Sequence, residues 1–321
     1  MELKDKILSI SSKESFEKLA LEVFHYQVQH CHIYRQYVQF LNWKTPTCIE
    51  EIPFLPIEFF KSHQIISSEK ETENVFKSSG TGGQRSSHFV ADIKLYVESF
   101  SKAYEEFIGN PKEQVILALL PNYTEQGESS LVYMVDYLIK ETNNELSGFL
   151  LNSADEILER YNQAISSGRK VVLFGVSYAL LDLAETNPDL SQAIIIETGG
   201  MKGRRKELTK EELHDTLKKG LNVSYISSEY GMTELLSQGY SNKDGLFETP
   251  SWMKIMIREV NDPFNYLEDG KTGGINVIDL ANLHSCSFIA TQDLGKKQND
   301  TFQILGRFDQ SDIRGCNLLV G

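Results

Sequence analysis

The stretch that decides the fold runs from Val171 to Ile226. Val171-Val172-Leu173-Phe174 is a short apolar run, residues 177–186 have helical spacing, and Ala193-Ile194-Ile195-Ile196 is apolar again. Residues 209–219 then read as a helix, opened by Thr209 with Glu212 three positions on, the pattern of a capping box. Asn222-Val223-Ser224-Tyr225-Ile226 is the next expected strand. Strands this continuously apolar need cover on both faces, and parallel neighbours need connections long enough to hold a helix. The alternation therefore predicts an α/β fold: a parallel sheet flanked by helices.

The same texture extends upstream. Val115-Ile116-Leu117-Ala118-Leu119-Leu120 is a strand-like run, and residues 91–108, 129–140 and 154–166 have helical spacing. Residues 1–42 also read as helical, with Phe16, Leu19, Ala20, Val23 and Phe24 on one face. The stretch Ile52 to Lys61 is apolar but holds Pro53 and Pro56, so it is expected to be a packed, irregular lead-in. Beyond about residue 250 the texture becomes strand and turn, with strands expected at 253–260, 274–280, 286–290 and 301–305. This gives two expected regions. Residues 1–250 form a helical lead-in and a nucleotide-binding α/β core, and residues 251–321 form a smaller antiparallel β subdomain.

Of the 321 residues, 32 are Lys or Arg and 45 are Asp or Glu, a formal net charge of −13. That balance argues against a nucleic-acid partner, because neutralising phosphates needs a cationic surface. No apolar run approaches the roughly 20 residues that span a bilayer, and no signal-peptide core stands at the N-terminus, so a cytoplasmic protein without integral membrane association is expected. The four cysteines lack CxxC pairing. Cys31, Cys48 and Cys286 are read as structural thiols.

Ligands of open parallel sheets bind at the carboxyl ends of strands. Three segments rich in Gly, Ser and Thr are candidates: Ser78-Ser79-Gly80-Thr81-Gly82-Gly83, Thr198-Gly199-Gly200, and Ser227-Ser228-Glu229-Tyr230-Gly231-Met232-Thr233-Glu234. Glycines let backbone N–H groups converge on an oxyanion, Tyr230 offers a flat face, and Glu234 offers a hard oxygen ligand. The first segment is not a Walker A loop, since no Gly-Lys-Ser/Thr follows. Phe174-Gly175-Val176-Ser177-Tyr178 lacks the Gly-x-Ser-x-Gly elbow, so Ser177 is not read as a hydrolase nucleophile. His63 and His88 lie near the loop and are read as satisfied structural histidines rather than phosphate ligands.

In order, these segments resemble the motifs of the adenylate-forming superfamily, which includes acyl-CoA synthetases and luciferases. Residues 78–83 resemble its phosphate loop and residues 230–234 its Tyr-Gly-x-Thr-Glu motif. Gly270 to Gly274 followed by Thr291-Gln292-Asp293 looks like its Gly-rich hairpin and Thr-Gly-Asp, and Gly306-Arg307-Phe308-Asp309 like its hinge. The resemblance implies the large domain of that fold, with ATP and Mg²⁺ as cofactors. It places the ATP β- and γ-phosphates on Ser78, Ser79, Gly80, Thr81, Gly82 and Gly83. Gly199 and Gly200 would lie along the adenine with Tyr230 packed on it, Gly231 and Met232 would belong to the ATP site, and Thr233 would face the α-phosphate and the carboxylate. Mg²⁺ goes to Glu234, and the ribose to Asp293 and Arg307.

Three departures stand out. Gly82 replaces a Thr and Arg85-Ser86 replaces Pro-Lys in the loop, Gln292 replaces Gly, and the chain given ends at Gly321 with no counterpart of the superfamily's C-terminal lid domain. The tail Arg314-Gly315-Cys316, with the lead-in Pro53-Phe54-Leu55-Pro56-Ile57-Glu58-Phe59-Phe60-Lys61, resembles the acyl-protein synthetase (LuxE-type) branch. That resemblance implies activation of a long-chain fatty acid, its capture as a thioester on Cys316, and transfer to an acyl-accepting reductase or carrier protein. The alternatives are transfer of an acyl or aryl group to CoA or another small acceptor, and a non-catalytic nucleotide- or acyl-binding subunit.

Overall fold

The structure is a computed structural model, and it describes residues 2–67, 71–79, 84–120, 128–150, 154–199, 208–242 and 245–308. The N-terminal region folds as helices α1 (Leu3–Ile7), α2 (Lys13–His30) and α3 (His32–Phe40). Ser12 caps α2 in a reciprocal box with Ser15, and Phe16, Leu19, Ala20, Val23 and Phe24 are buried along one face as their spacing predicts. The same face buries Gln27. Its amide donates to the Asn282 and Leu283 carbonyls (2.9 and 3.0 Å) and accepts from the Ser287 N–H (2.9 Å), tying α2 to the far end of the chain.

The proline-containing lead-in forms β1 (Leu55–Pro56) and α4 (Phe59–Ser62). A hairpin of β2 (Asn74–Lys77) and β3 (Ser87–Val90) follows, and then α5 (Ile93–Phe107), which Asp92 caps. Alternation then begins: β4 (Gln114–Leu119), α6 (Ser130–Glu141), β5 (Gly148–Phe149), α7 (Ala154–Ser166), β6 (Lys170–Val176), α8 (Ser177–Ala184), β7 (Ala193–Thr198), α9 (Lys210–Leu221), β8 (Ser227–Tyr230) and β9 (Gly239–Ser241). These strands make one sheet in the order β5-β4-β6-β7-β8-β9, parallel except for β9. The capping box expected at Thr209 and Glu212 is present.

The last region contains β10 (Met253–Arg258), β11 (Thr272–Asp279), β12 (Phe288–Gln298) and β13 (Thr301–Arg307), paired antiparallel. Strand β1 joins this sheet from the other end of the sequence, parallel to β12, with Leu55 opposite Ile289 and Pro56 opposite Ala290. Proline is tolerated there because the strand is short and lies at an edge. Phe288 sits under a cluster of rings from Phe24, Tyr34 and Phe54, which fastens the lead-in to this sheet.

Two strands depart most from expectation. Residues 222–226 are not a strand: Asn222 takes the left-handed conformation (φ 55°) that ends α9, and pairing starts only at Ser227. The strand expected at 286–290 runs on to Gln298, so Thr291-Gln292-Asp293 lies inside a strand rather than in a loop.

Candidate functional site

The carboxyl end of β8 and the middle of β12 meet at one spot. The Tyr230 hydroxyl donates to Asp293 Oδ2 (2.8 Å), and Arg307 Nε pairs with Asp293 Oδ1 (3.2 Å). Arg307 is brought there by register, since it stands directly opposite Asp293 in the β12–β13 ladder. Asp293 is 8 % exposed, whereas the Arg307 side chain is 70 % exposed. Burial raises the Asp293 carboxyl, while Arg307, the Tyr230 hydroxyl and Arg258 pull it down. The Tyr230 ring, 7 % exposed, lies edge-on to Phe302 (5.6 Å) and Phe247 (6.1 Å).

The first residues of the Gly/Ser segment, Ser78 and Ser79, leave β2, and two bonds tie Ser78 to Ser86 at the start of β3. Ser78 N–H donates to the Ser86 carbonyl (3.0 Å), and Ser86 N–H donates to Ser78 Oγ (3.0 Å). Ser79 is exposed beside it. Arg85 is engaged by the Ser78 carbonyl and by Glu128 (3.0 Å), which also holds Lys77 (2.6 Å).

This junction rests on the Tyr-Gly-Met-Thr-Glu segment. The Ser86 hydroxyl lies near enough to the Glu234 carboxyl to draw its pKa down, and His88 Nδ1 lies 2.9 Å from the Thr233 carbonyl. A carbonyl only accepts, so His88 carries its proton on Nδ1. Burial pushes His88 down to about 4, so it is a neutral prop for Thr233 and no counter-ion for phosphate. His63 is exposed and bonds Ser62. Burial raises Glu234, Arg307 attracts it and Asp293 repels it, so the two carboxyls share one electrostatic neighbourhood.

Gly199 follows β7 directly, and Thr198 beside it donates to Glu229 Oε2 (2.6 Å) across the β7–β8 pair. Glu229 also occupies the space over Gly231, where a Cβ would collide with Oε1. On the opposite face Glu197 accepts from Ser177 (2.6 Å) and Ser228 (3.2 Å) and pairs with Lys210. Ser177 is thus a buried donor. His214 Nε2 lies 3.1 Å from Ser228 Oγ, whose own proton goes to Glu197, so the chain Glu197–Ser228–His214 activates no nucleophile.

The structure therefore brings Tyr230, Asp293 and Arg307 together, and sets Ser78, Thr233 and Glu234 beside them through Ser86 and His88. Gly231 and Met232 connect the two groups along the chain, and Gly199 flanks them. Gly80, Thr81, Gly82, Gly83, Gly200 and Cys316 lie outside the described residues. Among the described cysteines, Cys31 and Cys286 are buried and Cys48 is exposed. No role is assigned from sequence to Glu229, Glu197, Ser86 or Arg258. For Glu229 the signal was available: it adjoins Tyr230 and shares its strand with the motif.

A mainly parallel sheet, a Gly/Ser hairpin against its carboxyl edge and an antiparallel sheet carrying the Asp define the fold of adenylate-forming enzymes. Two solved structures bear this out. ATP-bound MatB from Rhodopseudomonas palustris superposes with a TM-score of 0.55 at 17 % identity, covering 73 % of this chain and 47 % of MatB. 2-Hydroxyisobutyryl-CoA ligase in the postadenylation state, in complex with 2-HIB-AMP, gives 0.65 at 12 % identity, covering 94 % and 69 %. The chain belongs to the acyl-protein synthetase family LuxE, whose profile matches residues 5–321. The long-chain-fatty-acid–luciferin-component ligase of Photorhabdus luminescens is 39 % identical over 72 residues, 22 % of this chain and 62 % of that protein. The chain spans about half the length of MatB and less than two thirds of that curated relative.

Proposed function

We propose that this chain uses ATP to activate a long-chain fatty acid as its acyl-adenylate, takes the acyl group onto Cys316, and delivers it to a protein partner, a reductase or a carrier. One observation carries the activation step: the Tyr230–Asp293–Arg307 cluster and the Ser86–Glu234 and His88–Thr233 contacts converge from four separate parts of the chain. Family membership supports the acyl and protein-ligase elements.

In adenylation a carboxylate oxygen attacks the α-phosphorus. The new P–O bond forms as the bond to the pyrophosphate oxygen breaks, and pyrophosphate leaves with that electron pair. No proton moves, so the work is to align two anions and spread their charge. The Ser78–Gly83 loop would hold the β- and γ-phosphates, and Thr233, propped by His88, would face the α-phosphate. Gly199, Gly200, Tyr230, Gly231 and Met232 would border the adenine, and Asp293 with Arg307 would take the ribose hydroxyls. Glu234 with the Ser86 hydroxyl fits Mg²⁺, which commonly takes one or two carboxylates plus substrate phosphates. Bound there, Mg²⁺ would neutralise phosphate charge.

In the second stage the Cys316 thiolate attacks the acyl carbonyl. The C–S bond forms, the bond to AMP breaks, and AMP leaves with the electrons while the thiol proton goes to water. The cytoplasm is the compartment that keeps such a thiol reduced. No helix among the described residues is long and apolar enough to cross a membrane.

Incubation with ATP, Mg²⁺ and hexadecanoate should give hydroxylamine-labile acylation by mass spectrometry. Cys316→Ser should keep pyrophosphate exchange and lose the adduct. Equal acylation of Cys316→Ser sinks the thioester step, and pyrophosphate exchange with no acid of a panel sinks activation itself. Acyl-CoA formation in place of self-acylation would favour a small acceptor.

A further inference from the structure

Asp293 reaches the site because β12 is irregular. On β11 Gly274 faces Leu294 and Asn276 faces Ala290, so two steps along β11 span four along β12. The two extra residues make Thr291-Gln292-Asp293 a bulge, which turns Asp293 toward Tyr230. A bulge breaks the ladder and leaves backbone groups that need other partners.

One side chain, Arg258, supplies partners on both strands. Arg258 Nη1 donates to the Ile275 carbonyl (2.8 Å) and to Asn276 Oδ1 (2.7 Å), and Nη2 donates to the Thr291 carbonyl (2.6 Å). Thr291 Oγ1 also donates to the Ile275 carbonyl (2.8 Å) and accepts from the Asp293 N–H (3.1 Å). The Gln292 carbonyl accepts from Phe308 N–H (2.7 Å). The Phe308 ring then lies over the Arg258 guanidinium, 5.6 Å from Cζ. The guanidinium fits because residue 274 is glycine: a Cβ there would stand 2.5 Å from Arg258 Cζ. The Gln292 side chain is used too, donating to Glu58 of the lead-in.

We propose that Arg258 is a positioning residue for nucleotide recognition: it staples the bulge of β12 and so fixes Asp293 at the distance from Tyr230 and Arg307 at which it can take the ribose. This rests on the activation proposed above, and it adds a residue that touches no substrate. Lysine cannot substitute, because one planar fork serves three acceptors on two strands and also offers a face to Phe308. The same cluster gives Gln292 and Glu58 a task, as the strap that holds the bulge from the side of the lead-in.

The experiment compares ATP with 2′-deoxy-ATP and 3′-deoxy-ATP in pyrophosphate exchange for wild type, Arg258→Met, Arg258→Lys and Gly274→Ala. Methionine keeps the aliphatic stem without donors, and an alanine methyl at 274 expels the guanidinium without altering it. Wild type should favour ATP, and both Arg258 variants and Gly274→Ala should lose about tenfold of that preference, the worth of one well-placed hydrogen bond. The loss should fall on KM for ATP more than on kcat. Hydrogen exchange without nucleotide should show faster exchange of the Asp293 and Phe308 amides. Should Arg258→Met fail to fold, Gly274→Ala and Arg258→Lys carry the same comparison. Unchanged preference together with unchanged amide protection overturns the proposal. Wild type that exchanges pyrophosphate with no acid overturns activation instead, and the amide exchange still decides whether Arg258 holds the bulge.

Discussion

Glu229 gives the sharpest test of how this site is built. Its carboxyl is buried, with the Thr198 hydroxyl of β7 as its bonded partner and Tyr96 of α5 and Tyr240 of β9 close by. Burial raises it from 4.5 to about 7. Glu197 across the sheet adds to the rise, while the Thr198 bond and Lys210 oppose it. The native state thus keeps a proton that the unfolded chain has already released. The stability this confers is complete below about pH 4.5 and drains away as pH rises to about 7. Above that, the fold carries the full cost of an ionised carboxylate in a buried place. A separation of roughly 2.5 units at about 1.4 kcal/mol each is about 3 kcal/mol. Glu229→Gln keeps the size and the acceptor for Thr198 but cannot ionise. Urea unfolding of both proteins from pH 4.5 to 8.5 should show the variant gaining on wild type by about 3 kcal/mol across that range. Other titrating groups, Asp279 among them, are common to both proteins and cancel in the difference. A difference that stays flat with pH would refute the assignment of a protonated Glu229 near neutrality.

Further outcomes follow from single contacts. Tyr230→Phe removes a hydroxyl that lowers the Asp293 carboxyl, so the acidic limb of kcat/KM for ATP in pyrophosphate exchange should move to higher pH. An unmoved limb would detach Tyr230 from ribose recognition. Gln27→Leu strands the buried carbonyls of Asn282 and Leu283 and the Ser287 N–H, and should cost about 2–4 kcal/mol in urea unfolding, leaving KM for ATP unchanged.

How much of this was legible depends on what each residue answers to. The helix-strand alternation of 115–221 answers to burial and local propensity, which sequence carries directly, and those elements fall within a few residues of expectation. The motif residues were visible as residue types, but their convergence belongs to pairing between distant strands. Asn222 misled because the apolar run 222–226 looks like a strand, while its first residue is better used as a left-handed helix stop. The bulge at 291–293 was invisible for a related reason. Its Thr291 carbonyl is satisfied by Arg258, which lies upstream on β10, and no local pattern marks that debt. The departure from the family pattern at 292 is also explained only in three dimensions. Glycine would leave Glu58 without its amide partner, so the lead-in and the bulge are adapted to each other. The residues that contact substrate in the proposed function could be named from sequence. Those that hold them in place, Arg258, Glu229, Ser86 and His88, are set by register and packing, and only the folded chain shows them.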